Sequence, residues 1–161
     1  MEGRIYQINV KPEIAGERGL PKTSVESAIV SYSGINGDFN RYRQEKHNGR
    51  LDWALLLIPF EMIEQLNQEG WAIHPGDIGE NITTIGIPYE DFSPDKKYRV
   101  GEIEIQISEP CTPCGNLKIL PYIGKERWPE FKKTMQGRRG WYAKVLKEGK
   151  ISRGDLISRI E

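Results

Sequence analysis

The chain has 161 residues, enough for one domain that buries roughly two thirds of its unfolded surface without disulfide support. Its 23 Lys and Arg residues are matched by 23 Asp and Glu residues, which excludes a general electrostatic pull toward nucleic acid or a membrane surface. No apolar run approaches the ~18 residues needed to cross a bilayer and the N-terminus has no secretory pattern, so a soluble, cytoplasmic protein is expected.

In chain order, Tyr6, Ile8 and Val10 alternate within 4–10, a first strand that Pro12 ends. The turn-rich loop 16–22 carries Arg18 and Lys22, and 25–32 is rich in β-branched residues and predicts a second strand before a turn over 34–38. Residues 39–50 are strongly polar and end in His47-Asn48-Gly49-Arg50. The most apolar run, 53–58, is too short for a typical helix and predicts a strand buried on both faces.

Pro59 then opens a helix with Met62, Ile63 and Leu66 on one face and Gly70 as its stop. The Gly-rich turn Gly76-Asp77-Ile78-Gly79-Glu80-Asn81 runs into a β-branched strand and can present backbone N–H groups to an anion. It lacks the P-loop and dinucleotide fingerprints. Ile103, Ile105 and Ile107 alternate with polar residues in a half-buried strand that Pro110 is expected to terminate. A short helix follows over 128–137, with Trp128, Phe131 and Met135 on one side, and 142–146 and 151–160 predict two closing strands. Seven or eight turn-separated strands without βαβ alternation predict a mainly β fold, a closed or nearly closed barrel with two or more short helices.

The only two cysteines, Cys111 and Cys114, stand on a loop stiffened by Pro110 and Pro113. They are too close in sequence to form a secreted-type disulfide framework, and reduced thiols are expected. Thioredoxin-like redox chemistry calls for a helix after the first thiol, yet Gly115 and Asn116 are poor helix formers. Structural zinc needs four ligands, and only His47 and His74 could join the cysteines, at the wrong spacing. An inert packed thiol remains open, as does a thiolate serving as a soft-metal ligand or sulfur nucleophile beside an anionic cofactor.

Gly19-Leu20-Pro21-Lys22, Gly34 to Asp38, His47-x-Gly49, Gly76-Asp77-Ile78-Gly79-Glu80-Asn81-Ile82-Thr83, Pro113-Cys114 and Arg138-Arg139-Gly140-Trp141-Tyr142 occur in this order. The ordered set resembles the MOSC domain, named for the C-terminal domain of molybdenum cofactor sulfurases, across nearly the whole chain. The resemblance implies a single domain over 1–161, a barrel of the pyruvate-kinase-barrel-like type, and binding of a molybdenum cofactor (molybdopterin). Cys114 maps onto the family's functional cysteine, a molybdenum ligand in amidoxime- and hydroxylamine-reducing relatives and a carrier of sulfur in the sulfurases. Lys22, His47, Gly79, Asn81, Thr83 and Arg138 fall at positions implied to hold the cofactor.

The chain departs from many relatives at Cys111, where they carry Arg, and at Arg50, where they carry Gly. Cys111 is accordingly a candidate resolving thiol for a persulfide on Cys114. Three functions are implied: reduction of N-hydroxylated small molecules, sulfur transfer from a cysteine desulfurase, or non-catalytic pterin binding. Two cysteines cannot hold a four-Cys iron–sulfur cluster and no dinucleotide fingerprint is present, so a reductase requires a separate electron-donor protein. No pyridoxal-phosphate domain fits in this length, so sulfur would come from a partner.

Overall fold

The computed structural model describes residues 2–17, 19–39 and 49–161; His47 lies outside them. The first strand β1 (Glu2–Val10) is followed by β2 (Thr23–Val25), β3 (Ser27–Ser31) and the short β4 (Gly34–Ile35). Next come β5 (Leu55–Pro59), helix α1 (Phe60–Gln68), β6 (Ile82–Ile85), β7 (Lys97–Val100) and β8 (Ile103–Pro110). Helix α2 (Gly124–Thr134) precedes β9 (Trp141–Lys147), β10 (Gly149–Ser152) and β11 (Leu156–Ile160).

The larger sheet runs β11-β7-β8-β9-β5-β6-β1-β2 and is closed by pairing of β1 with β11, giving a barrel of seven strands among the described residues with β2 attached outside the ring. Closure removes the exposed sheet edges that would otherwise invite pairing with another chain. Every pairing in the ring is antiparallel except β5 with β6, which α1 bridges. A parallel pair needs such a crossover, which explains why α1 sits where it does. The second sheet, β10-β3-β4, covers part of the barrel.

β5 organises the interior. All five of its residues are buried, and with a period of two they serve different cores. Leu55 and Leu57 belong to the barrel core with Ile5, Ile82, Ile105 and Val145. Ile58 joins a second core between the barrel and the helices, with Met62, Ile63 and Leu66 of α1 and Phe131 of α2. Leu56 packs with Trp53, Cys111 and Tyr142 in a third, smaller cluster. The strand expected from its apolar run is thus the wall shared by all three.

Several sequence expectations are refined. The predicted strand 25–32 is two strands broken at Glu26, and 151–160 is split by the turn at 153–155, with its halves in different sheets. Pro110 is the last residue of its strand, as expected, and is still paired there, opposite Trp141 across a register shift. At such a bulge a missing N–H costs little, and the next N–H, of Cys111, resumes bonding to the Gly140 carbonyl at 2.8 Å. The second helix begins four residues earlier than its apolar face suggests, with Pro129 inside it. Gly115 to Ile119 forms a short 3-10 helix despite its composition.

Candidate functional site

Where β8 ends, the chain turns over the mouth of the barrel and lines a cavity of about 270 Å³. Cys111 to Leu117 form one wall; Gly19, Leu20, Lys22 and Phe39 a second; Leu56, Ile78, Gly79, Arg139 and Tyr142 complete it. Segments distant in sequence converge there because the β1–β2 loop, the turn before β6 and the turn before β9 all open at the same end of the barrel.

The two thiols are free and differently placed. Cys114 is half-buried and faces the cavity, while Cys111 is buried. Cys111 is held by its backbone bond to Gly140 and by packing on Trp53, Leu56 and Tyr142, whose rings stack at 4.4 Å between centroids. Cys114 leads directly into the 3-10 helix, with its carbonyl accepting the Leu117 N–H at 3.1 Å. One sulfur is therefore structural in its surroundings as well as facing the site, and the other is reachable.

Lys22 is buried, and its ammonium lies 2.6 Å from the Asp38 carboxylate, with the two side chains only 5% and 7% exposed. Asp38 also accepts the Lys11 N–H at 2.8 Å and the Asn81 amide at 2.8 Å. Asn81 in turn accepts the Leu56 N–H at 3.0 Å. This chain of bonds ties the Lys22 loop to β5, and the carboxylate neutralises the lysine charge locally.

Behind the Gly76–Gly79 turn lies Glu80, fully buried. Its Oε2 accepts the Gly76 N–H and the Thr83 hydroxyl, each at 3.0 Å, and Oε1 has no partner. Burial pushes its carboxyl up to about 7, with these hydrogen bonds and the Arg139 charge opposing the shift. Gly79 is open to the cavity because it lacks a side chain: an added Cβ would come within 2.9 Å of Leu20 and 4.0 Å of the Arg139 guanidinium.

Of the expected site residues, Cys114, Lys22 and Gly79 line the cavity together, with Cys111 beside them. Asn81, Thr83 and Arg138, also expected to hold the cofactor, are not among the residues that line the cavity. Thr83 is sealed in the barrel wall, accepting from Asn9 at 3.1 Å and donating to Glu80. Asn81 supports Asp38 from behind. Arg138 turns outward to Glu69, just after α1, and to the Thr134 carbonyl. Adjacent residues in the turn before β9 point in opposite directions, and it is Arg139 that faces the cavity. The resemblance implies a role for Arg138 and leaves Arg139 as a motif neighbour without one. Asp38 and Glu80 stood inside the quoted motifs without a role, since their importance comes from burial.

The MOSC domain family model matches residues 44–158. The chain is a member of the MOSC domain family. It is 36% identical over 89 residues to a protein named Reductase from Gibberella moniliformis, an alignment covering 53% of this chain and 15% of that protein. It is 29% identical over 153 residues to YflK of Bacillus subtilis, covering 90% of this chain and 66% of YflK. The crystal structure of YiiM from Geobacillus stearothermophilus superposes with a TM-score of 0.74 at 28% identity, over 99% of this chain and 75% of that one. This MOSC domain spans 66% or less of the length of these two curated relatives. MOSC domains are associated with molybdenum-cofactor binding, and the barrel is similar to that of YiiM.

Proposed function

We propose that this MOSC domain binds molybdopterin with Cys114 as the protein ligand to molybdenum, and reduces N-hydroxylated compounds. The observation that carries the reading is a reachable thiol sharing one cavity with a buried guanidinium. Among the described residues no group of three or more His, Cys, Asp or Glu side chains is disposed to hold a metal ion. A metal retained through one thiolate must bring its other ligands with it, as a dithiolene cofactor does. Gly79 leaves room for that cofactor, and the unpaired donors of Arg139 suit its phosphate.

When bound, the cofactor would supply two-electron chemistry at its metal. The chain's own residues do the rest. Cys114 would hold the metal, the Lys22–Asp38–Asn81 chain holds the cavity wall, and Leu20, Ile78 and Leu117 would exclude water from one side. Reduction of a hydroxylamine takes two electrons and two protons, breaks the N–O bond, and releases an amine and water. The electrons come from a separate donor protein. Metal analysis together with hydroxylamine turnover tests the reading: molybdenum at near one equivalent in protein from cofactor-competent cells, with activity, supports it, and its absence from such protein contradicts it.

A second reading is favoured by the shared cavity of the two thiols. A cysteine desulfurase would load Cys114 as a persulfide, and attack by the Cys111 thiolate would form a Cys111–Cys114 disulfide and release hydrosulfide. A persulfide on Cys114 after incubation with a desulfurase and cysteine, read by mass spectrometry, supports this alternative.

A further inference from the structure

Arg139 is a buried charged side chain that makes no ion pair among the described residues. It is only 6% exposed, and its Nε and Nη1 are buried without an acceptor. A guanidinium cannot escape burial by losing its proton, and leaving such a charge unpaired is among the costlier things a fold can do. The other cation on the cavity wall is different in kind, since Lys22 is matched by Asp38 at 2.6 Å. Glu80 feels the Arg139 charge without pairing with it: one of its oxygens is used on Gly76 and Thr83, and the other has no hydrogen-bond partner. Among the described residues, the cation on the cavity wall that lacks a direct ion-pair partner is therefore Arg139.

We infer that Arg139 is the anion-binding residue of the cavity, gripping a tetrahedral oxyanion, a phosphate monoester or its like, on a ligand that enters beside Cys114. The grip follows from the orphaned donors alone. That the oxyanion is the phosphate of a metal-bearing pterin rests on the proposed function. A guanidinium suits the role better than an ammonium because its planar fork donates to two oxygens at once. The missing Cβ of Gly79 lets the ligand approach the Nη2 edge.

The test uses the protein without cofactor. Cys114 is alkylated in parallel with anionic iodoacetate and neutral iodoacetamide, and the rate ratio is compared with that of a free thiol in the same buffer. Both reagents attack the same thiolate, so the fraction ionised cancels in the ratio and the local charge remains. One uncompensated positive charge within a cavity of this size predicts an excess for iodoacetate on the order of three- to tenfold. Inorganic phosphate should suppress that excess, and sodium chloride at equal ionic strength should do so far less. Arg139→Met should return the ratio to the free-thiol value, Arg139→Lys should keep part of it, and Arg99→Gln, on an exposed strand position, should leave it unchanged.

A ratio equal to that of the free thiol in the wild type, or one unaltered in folded Arg139→Met, overturns the inference. Failure of phosphate to protect the wild type beyond sodium chloride does so even if the Met variant does not fold. Molybdenum content of the wild type is measured separately. Anion selectivity without molybdenum leaves Arg139 in its role and removes the cofactor assignment; molybdenum without anion selectivity does the reverse.

Discussion

Lys22 and Asp38 form a buried ion pair at 2.6 Å, and the same carboxylate holds Asn81 at 2.8 Å, so a single side chain joins the β1–β2 loop to the barrel wall. Asp38→Asn would strand a buried ammonium, and is expected to destabilise the domain by about 3–5 kcal/mol in urea unfolding. Lys22→Met in the Asp38→Asn background should recover much of that loss, because the uncompensated charge is gone. Equal stability of Asp38→Asn and wild type would remove the pair from the fold's support.

Glu80 makes stability depend on pH in an unusual direction. Its carboxyl is raised from 4.5 when unfolded to about 7 when folded, so the folded state favours the proton. The contribution is complete below pH 4.5 and is lost as pH rises through about 7. Replacing the carboxyl with an amide removes this dependence. Stability of Glu80→Gln relative to wild type should therefore climb across that window, by on the order of 3 kcal/mol in total. Denaturant titrations at about pH 5 and about pH 8 read the difference. The Arg139 charge favours the ionised form of Glu80 and opposes the effect of burial.

The turn before β6 has almost no tolerance at Gly76. With φ +93° and the Lys22 carbonyl 2.5 Å from where a Cβ would stand, Gly76→Ala meets both backbone strain and a steric conflict. The Lys22 N–H bond to the Gly76 carbonyl, 2.9 Å, would be disturbed at the same time. A loss of about 2–4 kcal/mol is expected, with the Lys22 loop showing faster amide exchange. Unchanged exchange in that loop would mean the two turns are not coupled.

The two cysteines should separate cleanly. Cys111→Ser places a hydroxyl among Trp53, Leu56 and Tyr142, and is expected to cost about 1–2 kcal/mol. It should leave cofactor content near that of the wild type under the reductase reading. Under the sulfur-carrier reading it should lengthen the lifetime of a Cys114 persulfide, followed by mass spectrometry. A persulfide lost equally fast from Cys111→Ser and wild type removes the resolving role.

Much of this was legible in the chain. The alternation of Ile103, Ile105 and Ile107 marked β8, and the apolar run 53–58 marked the shared wall β5, because period and length are local properties. The second sheet was not legible, since β10 pairs with β3 across more than a hundred residues and nothing local records that partner. The motif residues were identified as a set, yet motif membership does not say which way a side chain points. Thr83 and Arg138 face away from the cavity, and Arg139, whose neighbour had been singled out, faces into it.

The central claim is that the sulfur of Cys114 holds a molybdenum cofactor, and elemental analysis tests it most directly. Wild type and Cys114→Ser are purified in parallel from cofactor-competent cells, with matched folding verified by thermal melts. The account predicts near-stoichiometric molybdenum on the wild type and a loss of most of it on Cys114→Ser, while the melting temperature changes little. Equal molybdenum on the two proteins, or none on the wild type, would contradict it.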